Sequence, residues 1–395
     1  MPDNTVKIIP RALTKTAAAL LKKYPALTIT GPRQSGKTTL ARLLFPKKPY
    51  VNLETPDIRR FARDDPRAFL AEYAGGAVFD EIQRAPELLS YLQPILDETN
   101  APGRFILTGS QQFEMMQHLS QSLAGRTAIL RLLPFSLDEI RAERPDFTTD
   151  DWIFTGFYPR IYQAGIAPSQ AYSDYYASYV ERDIRQLINV RNHALFDRFV
   201  RLCAGRIGQV LNLSNLASDA GITHPTAREW LSLLETSFIA ATLPPYFANT
   251  TKRLTKSPKL YFHDTGLAAW LCGITDASQL ATHPLRGALF ENLACIELQK
   301  HNCNHALNRQ PHYYRDNNCE VDFLWPAGGK LLPIEAKSSQ TIASDFTKGL
   351  DYFRRNFPRQ CAVESIIVYD GKSSRKTSDG KLYCPINQLA KALPY

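Results

Sequence analysis

The chain has 395 residues, of which 44% are hydrophobic and 22% charged, and its formal net charge is +9. The composition is globular, and the length exceeds what one hydrophobic core fills, so we expect about two or three domains. We expect no disulfide framework, because the seven cysteines are odd in number and have no close pairs.

The apolar segments exclude two further classes of protein. Residues 1–24 lack the apolar core of a secretory signal, and no apolar run reaches the roughly 18 residues of a membrane span. We therefore expect a soluble, cytoplasmic protein without membrane contact. The excess of positive charge favours phosphate-bearing partners such as nucleic acid.

The first motif is a glycine-rich loop between a strand and a helix. Residues 11–23 favour a helix, Pro25 ends it, and the apolar run 26–30 favours a buried strand. The following residues fit G-x-x-x-x-G-K-[ST], in which backbone N–H groups surround the phosphates of ATP. The predicted nucleotide contacts are Gly31, Pro32, Arg33, Gln34, Ser35, Gly36, Lys37, Thr38 and Thr39.

Two residues of this loop have specific predicted roles. Lys37 is expected to reach the β and γ phosphates, and Thr38 to offer its hydroxyl to Mg²⁺. The alternative is a chance glycine-rich turn, which would not need all four fixed positions of the motif to be filled.

A second apolar strand, at residues 77–79, ends in Asp80 and Glu81, which looks like a Walker B motif. In that interpretation Asp80 holds Mg²⁺ through water, and Glu81 orients or activates the attacking water. The strand at 104–108 ends in Gly109 and Ser110, and Ser110 is a sensor candidate for the γ phosphate or that water. Two acids at a helix N-terminus are the alternative for the Walker B motif.

The strands near residues 26, 50, 77, 104 and 128 alternate with helices, which predicts an α/β P-loop NTPase with a parallel sheet covered on both faces. Several segments resemble a family of bacterial and archaeal AAA-type ATPases that carry a carboxy-terminal domain of initially unknown function. These segments are Gly31–Thr38, Phe79–Gln83, Phe105–Gln111, Ser122–Arg126 and Pro134–Glu139. The resemblance covers nearly the whole chain.

The resemblance implies ATP hydrolysis at sites between subunits, and therefore a homo-oligomer in the form of a ring or partial ring. In such ATPases an arginine of the neighbouring subunit commonly completes the site. Arg126 is the first candidate for this arginine, ahead of Arg131 and Arg160. An ordinary surface arginine is the alternative for each of them.

The middle of the chain predicts a helical segment followed by a winged helix. Residues 150–190 favour helices whose aromatic side chains pack in a core. Three more helices are expected at 196–203, 213–220 and 225–234, with a helix-turn-helix connection at Gly221–Thr223. The predicted DNA contacts at the start of the third helix are His224, Thr226 and Arg228.

Two strands, at 238–244 and 260–262, bracket a basic loop at 249–256 that has the composition of a DNA-contacting wing. Its predicted contacts are Lys252, Arg253 and Lys256. A winged helix that binds a protein instead of DNA is the alternative.

The last third predicts a helix containing Glu291 and then a β-meander. Glu335 and Lys337 share one face of a strand, and Asp322 lies on the neighbouring strand. This pattern resembles the PD-(D/E)xK restriction-endonuclease-like fold, although no proline directly precedes Asp322.

The endonuclease resemblance implies a specific site. Asp322 and Glu335 would hold one or two Mg²⁺, Glu291 would assist, and Lys337 would position or deprotonate the attacking water. Two alternatives stay open: an ordinary ion pair on a sheet, and an endonuclease-like fold that grips DNA or a partner without cutting.

These segments predict an order of four parts along the chain. They are an AAA-type ATPase core (1–145), a helical lid or linker (146–192), a winged-helix domain (193–275) and an α/β nuclease-like domain (276–395). The predicted function is an ATP- and Mg²⁺-dependent enzyme that binds, translocates on or remodels DNA, with branched or damaged DNA among the candidate substrates. A nucleotide-gated switch for a protein partner and a chiefly nucleolytic enzyme are the alternatives.

Overall fold

The computed structural model describes residues 8–99, 101–110, 123–184, 193–247 and 257–394. The chain forms two compact units. The first runs to Phe135 and includes the short segments Thr236–Phe238 and Cys303–Ala306, and the second contains the remaining residues from Ser136 onward. None of the helices in the described ranges combines the length and apolar character needed to cross a membrane.

The first unit alternates strands and helices, as its sequence predicts. Its strands are β1 (Ala26–Thr30), β2 (Tyr50–Asn52), β3 (Val78–Asp80), β4 (Phe105–Gly109) and β5 (Thr127–Arg131). Its helices are α1 (Leu13–Leu21), α2 (Lys37–Leu44), α3 (Pro56–Asp64), α4 (Pro66–Glu72) and α5 (Leu88–Thr99). Proline at the first position of α3 and of α4 suits a helix start, because the N–H it lacks has no partner there.

The described strands of this unit form a parallel sheet in the order β2-β3-β4-β1-β5. Successive side chains of each strand face opposite sides, so the sheet has a core on each face. Ile29 and Ile106 pack with α1 and α2, whereas Phe79 and Leu107 pack with α4 and α5. Every residue of β1 is buried, as expected for a strand of a parallel sheet with a core on each face.

The strand order brings three predicted motifs together. Because β4 lies between β1 and β3, its carboxyl end lies between the glycine-rich loop that follows β1 and Asp80 at the end of β3. In a parallel sheet all carboxyl ends meet at one edge, where ligands of such folds bind.

The second unit contains the helical middle of the chain and a mixed sheet. Its helices are α6 (Leu137–Ile140), α7 (Thr149–Thr155), α8 (Pro159–Ala164), α9 (Pro168–Tyr175), α10 (His193–Ala204), α11 (Leu213–Ala220), α12 (His224–Thr236), α13 (Thr265–Leu271), α14 (Arg286–Asn304), α15 (Lys348–Asn356) and α16 (Leu389–Ala392). Its strands are β6 (Ala240–Leu243), β7 (Lys259–Phe262), β8 (His312–Arg315), β9 (Glu320–Ala327), β10 (Lys330–Lys337), β11 (Ser365–Tyr369), β12 (Arg375–Lys376) and β13 (Lys381–Pro385).

The helices α10, α11 and α12 confirm the three predicted helices, and Gly221 ends α11 in the left-handed conformation. Strands β6 and β7 pair antiparallel. The other described strands of this unit form a sheet in the order β12-β13-β11-β10-β9-β8. Strands β8, β9 and β10 are the predicted meander, and β11 lies parallel to β10. The names winged helix and PD-(D/E)xK, and the division into four parts, stay predictions.

A substitution at one glycine of the nucleotide loop can test how closely the first unit is packed. Gly31 has a φ of +146°, and a Cβ there would collide with the carbonyl oxygen of Leu132. We expect Gly31→Ala to lower the free energy of unfolding by about 2 kcal/mol and to weaken ATP binding. Chemical denaturation monitored by circular dichroism measures the first effect.

The matched control is Gly75→Ala, because a Cβ at Gly75 would meet no atom of the described residues within 4 Å. We expect this control to change the free energy of unfolding by less than about 0.5 kcal/mol. Equal stability of the two variants would contradict the packing argument.

Candidate functional site

The glycine-rich loop runs from the end of β1 to the start of α2. Its backbone takes left-handed conformations at Gln34 (φ 62°) and Gly36 (φ 93°), and Gly36 is the N-cap of α2. The hydroxyl of Ser35 is buried and has no hydrogen-bond partner among the described residues. A loop that turns tightly into a helix N-terminus, with a spare buried hydroxyl, provides the donors that a phosphate group needs.

Lys37 lies across this loop. Its ammonium donates to the carbonyl oxygens of Gly31 at 3.0 Å and of Pro32 at 2.8 Å. The side chain is buried, and burial lowers the pKa of Lys37 to about 8, although the charges of Glu81 and Asp80 oppose the shift. A triphosphate beside this ammonium would raise its pKa again.

Asp80 is held by hydroxyl groups from three neighbouring elements. Thr38 donates to Asp80 Oδ2 at 2.9 Å, and Tyr50 donates to the same oxygen at 2.5 Å. Thr108 of β4 donates to Asp80 Oδ1. Burial and the Asp80 carboxylate raise the pKa of Tyr50, so that this hydroxyl stays a donor at neutral pH. Sequence reasoning identified Thr38 and missed Tyr50 and Thr108.

Glu81 follows Asp80 in an uncommon backbone conformation, with φ 57° and ψ 49°. Its carboxylate oxygen Oε2 accepts from the hydroxyl of Ser110 at 3.0 Å and from the side-chain amide of Gln83. The Gln83 amide also donates to Ser110 Oγ at 3.2 Å. The predicted base and the predicted sensor are therefore in direct contact, and Gln83 is a contact that the sequence did not reveal.

Arg11 connects the loop to the chain that follows β5. Its guanidinium donates to the carbonyl oxygen of Ser35 at 2.7 Å and to that of Leu133 at 2.6 Å. The guanidinium also lies 4.8 Å from the centre of the Phe135 ring. Arg11 is nearly buried, and these contacts hold the loop backbone in place.

The residues at this edge of the sheet fit Mg²⁺-ATP. Backbone N–H groups of the loop and Lys37 would hold the phosphates, and Thr38 and Asp80 would hold the ion. Oxygen donors with one carboxylate suit Mg²⁺, which keeps several waters and takes few protein ligands. When bound, the ion offsets the negative charge of the phosphates.

Arg126, the first candidate for an arginine that acts on a neighbouring subunit, is paired within its own unit. Its Nε lies 2.5 Å from Asp97 Oδ1 and its second guanidinium nitrogen 2.8 Å from Asp97 Oδ2. The partner Asp97 is half-exposed. Of the other two candidates, Arg131 stacks over the ring of Phe238, and Arg160 is exposed.

In the second unit, the predicted nuclease residues lie on adjacent elements. Glu291 lies on α14, Asp322 on β9, and Glu335 and Lys337 on β10. The Lys337 ammonium donates to Glu335 Oε1 at 2.8 Å, and Asp322 Oδ2 accepts from the backbone N–H of Ala336 at 3.0 Å. Burial and the nearby Asp322 carboxylate raise the pKa of Glu335, and Lys337 opposes this shift.

A lysine that sequence reasoning missed lies at the centre of this group. The Lys259 ammonium is 2.8 Å from Glu291 Oε1, 2.5 Å from Glu320 Oε1 and 3.5 Å from Asp322 Oδ1. Its side chain is 1% exposed. Burial alone would lower the pKa of Lys259, but the three carboxylates raise it above its usual range.

The fit of this second group to metal ions is limited. In the part of the chain that the structure describes, no three His, Cys, Asp or Glu side chains are arranged to hold a metal ion. Oxygens of Glu291 and Asp322 face Lys259, whereas Glu335 Oε2 is buried and has no hydrogen-bond partner among the residues that the structure describes. The Glu335 oxygen is therefore the position in this group that is open to a cation, and Asp322 is the carboxylate beside it on the neighbouring strand.

The predicted DNA contacts of the middle segment lie at the start of α12. The backbone N–H of Thr226 donates to the Thr223 hydroxyl at 3.3 Å, which caps the helix. His224 and Arg228 are exposed and border a cavity of about 700 Å³ that Glu235 also lines. The predicted wing residues Lys252, Arg253 and Lys256 lie outside the described residues, as do Gln111 and Ser122 of the ATPase motifs.

Three family models match the chain. An AAA domain matches residues 23–141, which include the glycine-rich loop, Asp80, Glu81 and Ser110. A domain of unknown function (DUF8612) matches 147–278, and another (DUF4143) matches 286–389. The first match and the loop geometry identify the amino-terminal part as an AAA-type P-loop ATPase. The descriptions of the other two models name no activity.

Two curated mycobacterial proteins are similar along most of their length. The uncharacterized protein Rv2008c of Mycobacterium tuberculosis is 32% identical over 377 residues, which cover 93% of this chain and 82% of that protein. The uncharacterized protein Mb2031c of Mycobacterium bovis has the same identity and coverage.

Two solved structures show a distant similarity to this chain. The Walker-type ATPase PABY2304 of Pyrococcus abyssi has 14% identity and a TM-score of 0.44, with 67% of this chain and 96% of that chain covered. A structure of Drosophila ORC bound to DNA has 12% identity and a TM-score of 0.24, with 69% of this chain and 89% of that chain covered. These scores are too low to support an argument about this chain.

The lowered pKa of Lys37 predicts how ATP binding depends on pH. Above about pH 8 the free protein loses the Lys37 proton, whereas bound triphosphate retains it, so affinity falls as pH rises. We expect binding of a non-hydrolysable ATP analogue to be level near pH 7 and to weaken by up to about tenfold per pH unit above pH 8. Calorimetric titration measures both the affinity and the proton uptake.

Lys37→Arg is the control, because a guanidinium stays charged throughout this range. If this variant still binds the analogue, its affinity is expected to be independent of pH. A wild-type affinity that stays constant from about pH 7 to about pH 9.5 would contradict the assignment of this proton to Lys37.

Proposed function

We propose that this chain, which belongs to the family of the mycobacterial proteins Rv2008c and Mb2031c, is an AAA-type ATPase that uses ATP hydrolysis to act on DNA. The observation that carries the proposal is the convergence of Lys37, Asp80 and Glu81 at one edge of the parallel sheet. It provides a phosphate-binding cation, a metal-binding carboxylate and a base in one place.

The residues of the first unit would share the work of hydrolysis as follows. Lys37 and the loop amides bind the phosphates, and Thr38 and Asp80 orient the ion. Glu81 accepts a proton from the attacking water, and Ser110 and Gln83 hold the Glu81 carboxylate in position. Arg11 keeps the loop in its binding conformation.

The proposal includes a homo-oligomer in which Arg126 acts on the nucleotide of the neighbouring subunit. The pairing of Arg126 with Asp97 supports it in one respect: two of the three guanidinium nitrogens already bind the two oxygens of an anion. A phosphate could replace this carboxylate, since bidentate arginine suits either group.

The DNA part of the proposal rests on the second unit. His224 and Arg228 are exposed at the start of a helix that follows a tight turn, and the basic residues Lys252, Arg253 and Lys256 follow in the sequence. The meander β8-β9-β10, the helix α15 and the parallel strand β11 support a PD-(D/E)xK-like domain that binds or cleaves DNA.

The assignment of the base predicts the effect of one substitution. Glu81→Gln keeps the size and hydrogen bonding of the side chain but removes its basicity. We expect kcat for ATP hydrolysis to fall by about 100-fold or more, with ATP affinity nearly unchanged. A phosphate-release assay and an ATP-binding titration measure the two effects.

Glu72→Gln is the matched control, because Glu72 is an exposed glutamate of the same unit. We expect it to hydrolyse ATP at the wild-type rate. Full activity in Glu81→Gln would remove this residue from the catalytic machinery.

The action on DNA is tested by the ATPase rate with single-stranded, duplex and branched DNA at two salt concentrations. We expect at least one of these DNA forms to stimulate hydrolysis, and binding to weaken steeply with salt. Arg228→Ala should weaken DNA binding uniformly across sequences and reduce the salt slope by about one.

Arg355→Ala is the matched control for charge and exposure in the same unit. It is expected to bind DNA like the wild type. If none of the DNA forms binds the protein or changes its ATPase rate, the DNA proposal fails. A nucleotide-gated switch for a protein partner then becomes the better account.

A further inference from the structure

Three neighbouring carboxylates of the second unit already have a cation, the ammonium of Lys259. Lys259 comes from β7 and reaches Glu291 on α14 and Glu320 and Asp322 on β9. It therefore ties the two-stranded sheet to the six-stranded sheet within one unit. A buried ammonium with three carboxylate neighbours is held far more firmly than an exposed ion pair, because removing either partner leaves a buried charge unpaired.

Three of the carboxylate oxygens that a metal could use on this side, one of Glu291 and both of Asp322, already have partners. Glu291 Oε1 accepts from Lys259 and also from the hydroxyl of Tyr261 at 2.6 Å. Asp322 Oδ1 faces Lys259 at 3.5 Å, and Asp322 Oδ2 accepts from the backbone of Ala336. A divalent ion beside Glu291 would have to displace these donors and lie next to a buried positive charge.

The side of the group formed by Glu335 and Lys337 on β10 has an oxygen that is open to a cation. Glu335 has one oxygen paired with Lys337, and its other oxygen is buried and has no hydrogen-bond partner within the described ranges. Phe323 pairs with Ile334 in the antiparallel sheet, so Asp322 and Glu335 are the next pair in register. A single cation could bind there without meeting Glu291, through the unpartnered oxygen of Glu335 and the second lone pair of Asp322 Oδ2, for which the described residues provide only the backbone donor.

We propose that Lys259 is the resident cation of this group, that Glu291 is not a metal ligand, and that Asp322 and Glu335 bind one divalent ion at most. The second positive charge that a two-metal site takes from solution is here part of the chain. This inference deepens the proposed function at the endonuclease-like site, but it concerns ion binding and would survive a failure of the DNA proposal.

The test is a titration of the full chain with Mn²⁺, without nucleotide, followed by electron paramagnetic resonance. All variants share the same ATPase site, so differences between them report on the second unit. We expect Glu291→Gln to change Mn²⁺ affinity by less than threefold. Lys259→Gln should raise the affinity at least tenfold, because it frees Glu291 and removes a repelling charge.

A double variant identifies the new ligand. In Lys259→Gln with Glu291→Gln the gain in affinity should disappear, since Glu291 would be the ligand that Lys259 releases. Lys259→Arg keeps the charge and should bind Mn²⁺ like the wild type. Lys330→Gln, an exposed lysine of β10, controls for net charge and should also bind like the wild type.

Two outcomes would overturn the inference: weaker Mn²⁺ binding by Glu291→Gln in the otherwise unchanged chain, or unchanged binding by Lys259→Gln. Thermal unfolding shows whether each variant is folded. If Lys259→Gln unfolds, Lys259→Met keeps the length of the side chain and takes its place, with the same expected gain. The Glu291→Gln variant keeps Lys259, so its result does not depend on whether the Lys259 variants fold.

Discussion

The Asp80 carboxylate is held in place by hydroxyl groups from α2, β2 and β4. These donors satisfy its oxygens without neutralising its charge, so the carboxylate stays available to a cation at the edge where the loop ends. The parallel strand order is what brings the three hydroxyls together. The rest of the nucleotide site depends on this arrangement, because the ion and the phosphates must meet at Asp80.

The two units solve the same electrostatic problem in different ways. Burying a carboxylate costs free energy unless hydrogen bonds or an opposite charge compensate. In the first unit neutral hydroxyls compensate Asp80, which leaves a net negative charge for Mg²⁺. In the second unit Lys259 compensates Glu291, Glu320 and Asp322 with a charge of its own. The first arrangement favours an ion from solution, and the second reduces the need for one.

Sequence reasoning was accurate where the signal is local. The loop motif, the apolar strands and the helices around Gly221 are encoded by residues a few positions apart, and the structure confirms their positions. Tyr50, Thr108, Gln83 and Lys259 were missed, because their roles arise from strand order and from packing between distant segments. A tyrosine in an apolar strand or a lysine at a strand start has no local pattern that marks it as part of a site.

The first unit is expected to bind ATP through Mg²⁺ held by Asp80. The most direct measurement is the affinity for a non-hydrolysable ATP analogue with Mg²⁺ and with excess EDTA, for the wild type and for Asp80→Asn. The account predicts at least tenfold tighter binding with Mg²⁺ in the wild type, and little or no difference in the folded Asp80→Asn variant. Equal wild-type affinity in the two conditions would contradict it.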